Sequence, residues 1–160
     1  MLQSALDIVY NHNGLLIIIY LVLTALLFFS RLEKINRIYQ RVILAVWLIG
    51  TAYLVFFERT PLMDARYNFI PFRDDNLFNI KSNVLIFVPF VPALCGSFPK
   101  VSVKAAVLSG ILAIIAIELI QLVSHRGICD IDDLLENGLG VLFGAACYIL
   151  IRKLAAHKSE

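Results

Sequence analysis

The sequence predicts an all-α protein, a polytopic membrane bundle of about five transmembrane helices with its N-terminus out and its C-terminus in. Three observations carry this. Hydrophobic residues make up 60% of the 160 and charged residues only 16%, against the roughly 25% usual in soluble domains. Mean hydropathy is +0.83; a soluble fold of this length could not cover so much apolar surface, whereas a bilayer can. The third observation is where the cations fall. Nine Lys/Arg (Arg31, Lys34, Arg37, Arg41, Lys100, Lys104, Arg152, Lys153, Lys158) collect on one side of a five-span topology. Only Arg59, Arg66, Arg73, Lys81 and Arg126 collect on the other. The side richer in cations is the cytoplasmic one. A net charge of +2 is too small to suggest nucleic acid as a partner.

Taken in order, residues 1–13 are polar enough for a short tail or interfacial turn. Gly14–Ser30 is the first span; no Lys or Arg precedes it and no small-residue cleavage site follows, so it does not read as a signal peptide. Arg31–Arg41 is a basic loop and Val42–Phe57 the second span. The long connection Glu58–Ser82 is mixed in sign. Within it, 68–73 reads as a segment re-entering the membrane interface, because Pro71 favours extended backbone before it and aromatic residues suit headgroup depth. Asn83–Phe98 is the third span, kinked by Pro89 and Pro92, each of which removes a helical hydrogen bond. Carbonyls freed in this way need a neighbouring helix or water. Pro99–Lys104 is a tight turn, Val101–Val123 the fourth span and Leu134–Ile151 the fifth. The whole chain, 1–160, reads as one integral membrane domain. Cys95, Cys129 and Cys147 are too widely spaced for a metal or disulfide framework, and only Cys129, in a loop, is a candidate for reactivity.

Polar residues inside apolar spans mark function by default. Glu118, Gln121 and His125 follow i, i+3, i+7 spacing and so share one face of the fourth span. Asp133, Asn137, Gly140 and Gly144 form a similar stripe on the fifth, and Asn76, Asn79 and Asn83 at the start of the third. All three fall on the side predicted to face out, which suggests a shared polar pocket. Glu118 must be protonated, paired or hydrated there, with Arg73 and Arg126 as candidate partners. It reads either as part of a structural network or as a functional acid. The run Asp130-Ile-Asp132-Asp133 reads as a helix cap, a divalent-cation site or a contact for a polar ligand. Gly140-x-x-x-Gly144 permits close helix packing. No nucleophile–base order, phosphate loop or cofactor motif is present.

These residues also carry a resemblance. The blocks Asn68-Phe-Ile-Pro71-Phe72-Arg73, Asn83-Val-Leu-Ile-Phe87-Val-Pro89-Phe90, Glu118-Leu-Ile-Gln121 and Arg126-x-x-x-Asp130-Ile-x-Asp133-x-x-x-Asn137-x-x-Gly140 resemble the VanZ-like family, in its order, over 68–150. Two departures are Val91-Pro92, where the family often has Gly after Pro-Phe, and Gly138 in place of the usual Thr. The resemblance implies a multi-pass protein of the bacterial cell membrane, and a role in lowered sensitivity to the glycopeptide teicoplanin. Asn68, Arg73, Asn83, Glu118, Gln121, Arg126, Asp130, Asp133 and Asn137 are then the candidate ligand-binding residues. The expected partners are the lipid bilayer and a glycopeptide or lipid-linked cell-wall precursor, with no metal and no cofactor. The rival reading is an intramembrane enzyme acting on a lipid-linked substrate, with Glu118 as acid or base and Arg73 or Arg126 holding a phosphate. A helical scaffold for another membrane protein is the third.

Overall fold

The computed structural model describes residues 2–30, 32–54, 57, 62–63, 66–71 and 77–157. Among the described residues the protein is all-α apart from two three-residue strands. In chain order the elements are α1 (Leu2–Phe29), α2 (Glu33–Tyr53), β1 (Arg66–Asn68), α3 (Leu77–Phe87), α4 (Phe90–Ser97), α5 (Val103–Ser124), β2 (Ile128–Asp130) and α6 (Ile131–His157). Among the described residues, three stretches are long and apolar enough to cross a membrane: Ile80–Ser97, Val103–Ser124 and Ile131–His157. In α1 the apolar part, Gly14–Phe29, is shorter.

Several boundaries differ from the sequence reading. The expected tail, residues 1–13, is helical from Leu2, because extending an existing helix adds one hydrogen bond per residue without a new nucleus. The expected basic loop 31–41 is helical from Glu33. Its Lys, Arg and Gln are good helix formers, and its polar face finds partners in α1. The third helix starts at Leu77 rather than Asn83, and α6 runs beyond Leu134–Ile151 at both ends.

The face of α2 turned inward is polar over its first two turns, with Trp47 further along it. Asn36 and Gln40 are buried, while Ile35, Ile38, Val42, Val46 and Ile49 are exposed. Gln40 accepts from the Tyr20 hydroxyl at 2.9 Å. Its amide donates to the Thr24 hydroxyl at 3.1 Å and to Asn36 Oδ1 at 3.3 Å. Gly96 of α4 lies directly against the Gln40 side chain. Buried polar groups require such partners; here they tie α1, α2 and α4 together. Tyr20 and Gln40 were not singled out in the sequence.

The proline kink falls where expected. α3 stops at Phe87 and α4 resumes at Phe90. Pro89 has no N–H, and Val88 N turns to Leu85 O at 3.3 Å, one residue short of α-helical register. The carbonyl of Ile86 accepts from the Trp47 indole at 2.7 Å, so α2 supplies the partner that the broken helix needs. The Trp47 ring packs on Phe87 and Phe90, with centroids 5.2 and 4.8 Å away. Around these three lie Val91, Cys95, Ala106, Ile114, Val141, Ala145 and Tyr148, which complete the buried core.

Two glycines of α6 lie against the kink. A Cβ on Gly140 would run into the Val84 carbonyl oxygen, and one on Gly144 into that of Val88. Both are carbonyls that the prolines disturb. Val88 N, the regular partner of Val84 O, is turned away, and Pro92 cannot donate to Val88 O. Gly138, by contrast, has only Ile111 Cδ1 near it, at 3.8 Å. Gly140→Ala and Gly144→Ala are each expected to cost about 1–3 kcal/mol by overpacking against backbone. Gly138→Ala should cost little. Thermal unfolding of the three variants in detergent checks this; equal stability of all three would contradict the packing described.

Candidate functional site

α5 ends in a tight reversal that α6 follows almost at once. His125 closes α5 in the left-handed region (φ 56°), and its N–H reaches back to Leu122 O. Arg126 N donates to Gln121 O at 3.1 Å. Gly127 then takes φ 143°, a conformation that only glycine adopts readily. The chain emerges as β2, and α6 begins at the next residue.

β2 pairs in parallel with β1, with Arg66 opposite Ile128, Tyr67 opposite Cys129 and Asn68 opposite Asp130. Of the segment 68–73 read as an interfacial re-entry, only Asn68 lies in this strand, as its last residue; a bend and a turn follow at 70 and 71, and 72–73 lie outside the described residues. A second tie lies nearby, where Leu62 N donates to His125 O at 2.7 Å.

That register builds the first polar network. The Asn68 amide donates to both carboxylate oxygens of Asp130, at 3.3 and 3.2 Å, and Asn68 Oδ1 accepts from Ile70 N at 3.2 Å. Asp130 Oδ1 also accepts from Asp132 N at 3.0 Å, so Asp130 is the N-cap of α6. Its own N–H donates to Glu118 Oε2 at 3.0 Å. Glu118, 5% exposed, thus reaches from α5 to the start of α6.

A second network lies between α3 and α6. The Asn83 side-chain amide donates to Asp133 Oδ1 at 2.6 Å and to Glu136 Oε2 at 2.9 Å. The two acids are three residues apart and so share one helical face. Gln121 and Asn137 are buried on the faces that carry Glu118 and Asp133. Arg126 is half-buried at the end of α5, and Arg73 lies outside the described residues.

Five of the sequence candidates, Asn68, Asn83, Glu118, Asp130 and Asp133, are joined in these two networks. Two further acids belong here, Glu136 (2% exposed) and the buried Asp132. Glu136 could have been found, because it follows Asp133 by three residues and precedes Asn137. Asp132 stands in the acidic run 130–133 read from the sequence, though off the stripe of Asp133 and Asn137. No group of three or more His, Cys, Asp and Glu with metal-binding geometry occurs among the described residues.

Carboxylates clustered in this way accept hydrogen bonds and favour cationic or hydroxyl-bearing groups. They also act on Cys129, the central residue of β2. Burial pushes its thiol pKa up, and the charges of Glu118, Asp130 and Asp133 push it further.

The model of the VanZ/LLP1 family matches residues 16–152, and the chain belongs to that family. The matched stretch starts within α1, well before the motif blocks that begin at Asn68. Comparison with curated proteins and with solved structures gives no match. Family and helices together make this a VanZ-like membrane protein.

Two outcomes follow from the geometry. Asn83→Ala should cost about 1–3 kcal/mol, because Asp133 and the buried Glu136 both lose a half-buried donor; unfolding in detergent measures it, and an unchanged transition would contradict the network. Cys129 should react slowly, because the thiolate is the nucleophile and a raised pKa leaves less of it at neutral pH. Alkylation followed residue by residue by mass spectrometry should give a rate profile displaced to alkaline pH, moved part of the way back by Asp130→Asn. A profile at or below the ordinary thiol range would contradict this.

Proposed function

We propose that this VanZ/LLP1 protein is a multi-pass protein of the bacterial cell membrane whose carboxylate–amide cluster forms an outward-facing polar receptor. Through it the protein would lower sensitivity to teicoplanin-type glycopeptides, by binding the antibiotic or the lipid-linked cell-wall precursor that the antibiotic targets. The observation that carries this reading is the gathering of Asn68, Asp130 and Glu118, and of Asn83, Asp133 and Glu136, around the junction of β2 and α6. With the basic segments on the cytoplasmic side, this end of the bundle faces outwards. Glycopeptides and lipid-linked precursors both present hydroxyl and amide donors, and the glycopeptide an ammonium group, all suited to carboxylate acceptors.

One observation favours a second reading. Glu118 and Glu136 are almost fully buried, and a buried carboxyl is suited to acid–base chemistry. On that reading the protein is an intramembrane enzyme that modifies a lipid-linked precursor, with Glu118 as the acid or base.

One experiment separates the two. Wild type, a deletion strain, Glu118→Gln and Asp133→Asn are compared for teicoplanin sensitivity, beside mass spectrometry of extracted envelope lipids. The receptor reading expects both variants to approach the deletion phenotype with the lipid profile unchanged. A lipid species that appears or vanishes with Glu118 would favour the enzyme. Variants indistinguishable from wild type in a strain where deletion has an effect would remove the cluster from either role.

A further inference from the structure

The strand that delivers Asn68 to the cluster carries an apolar face on its other side. Successive side chains of a strand point in opposite directions. Asn68 points to Asp130, while Tyr67 and Phe69 are 68% and 64% exposed. Their rings stack on each other, with centroids 5.3 Å apart and planes 27° from parallel. Ile70, which follows Phe69, is exposed as well, whereas the exposed Ile128 of β2 lies on the opposite face, with Asp130. Nothing in the bundle covers this face among the described residues.

Its height relative to the membrane follows from α5. That helix has 22 residues, about 33 Å at 1.5 Å per residue, which matches a hydrocarbon core of about 30 Å. Its two ends therefore sit at the two boundaries of the core. β2 follows the end of α5 after three residues and leads directly into α6, and the β1–β2 register fixes β1 at the same level. The lipid-facing surface of the helices reaches this level, for Leu119, Ile120 and Val123 of α5 and Leu135 and Leu139 of α6 are all exposed. The aromatic face lies at this same level, the depth where Tyr and other amphipathic rings concentrate.

We infer that β1 and the residue after it form a membrane-interface anchor, with Tyr67 and Phe69 seated among the lipid headgroups and upper acyl chains. The occupant of the face is thus the bilayer itself. Because Asn68 lies between the two rings, the anchor holds the Asn68 amide against Asp130, and the polar cluster opens at headgroup depth rather than into bulk water. The inference does not depend on what the cluster binds.

The test uses the full chain in phosphatidylcholine vesicles. Tyr67→Trp and Phe69→Trp replace exposed rings, so the fold should tolerate them, and the buried Trp47 supplies a constant background. Fluorescence added over wild type is measured with bromines near the headgroup end of the acyl chains, with bromines near the chain terminus, and with aqueous iodide. The expected result is strong loss of the added emission with the shallow bromines, less with the deep ones and little with iodide. Quenching by iodide with indifference to bromine would overturn the anchor. So would emission shielded from both quenchers and dependent on the protein-to-lipid ratio, which would mean that a second copy covers the face.

Discussion

Two carbonyl groups set the spacing of this bundle. The prolines at 89 and 92 break the third span and disturb the hydrogen bonding of Val84 and Val88, and α6 meets both carbonyls with glycines. Any side chain at Gly140 or Gly144 would push α6 away. In a bilayer the apolar effect does not drive helices together, so close backbone approach supplies much of the association. The opposite side of the break is closed by Trp47, whose indole takes the Ile86 carbonyl and whose ring fills the bend. The kink is thus held from both sides.

That contact also decides what the polar end can be. Asn83 lies one residue before Val84, and Asp133 and Glu136 lie on the turns of α6 before Gly140. Bringing the two backbones together sets one amide between two carboxylates at 2.6 and 2.9 Å. The second network is set differently. Glu118 grips the backbone of Asp130, Asp130 caps α6, and β1 adds Asn68 through strand register. One half of the cluster rests on helix packing and the other half on a two-stranded sheet, yet both converge on the first two turns of α6.

Much of the helix architecture was legible because burial in lipid leaves a plain signal: long apolar runs, prolines at the break and polar stripes at helical spacing. Glu118, Asp133 and Asn83 were found from that spacing alone. The parallel pairing of 66–68 with 128–130 was not legible, since two three-residue strands far apart in the chain carry no periodicity of their own. Segment 33–41 misled because its charges read as a loop, whereas Asn36 and Gln40 form the inward face of a helix. A polar residue in a membrane bundle can be a packing residue when its partners are Tyr20 and Thr24. Glu136 lay in the right register and was overlooked among other acids.

If the backbone contact of α6 with α3 is what sets the Asn83 network, loosening the contact and removing the amide must not act independently. The most direct measurement is a double-mutant cycle on Gly140→Ala and Asn83→Ala, read as unfolding free energy in detergent. The double variant is expected to lose clearly less than the two singles together, because each change already weakens the other's interaction. Additivity within about 0.5 kcal/mol would show that the packing and the polar site are separate features, and would contradict it.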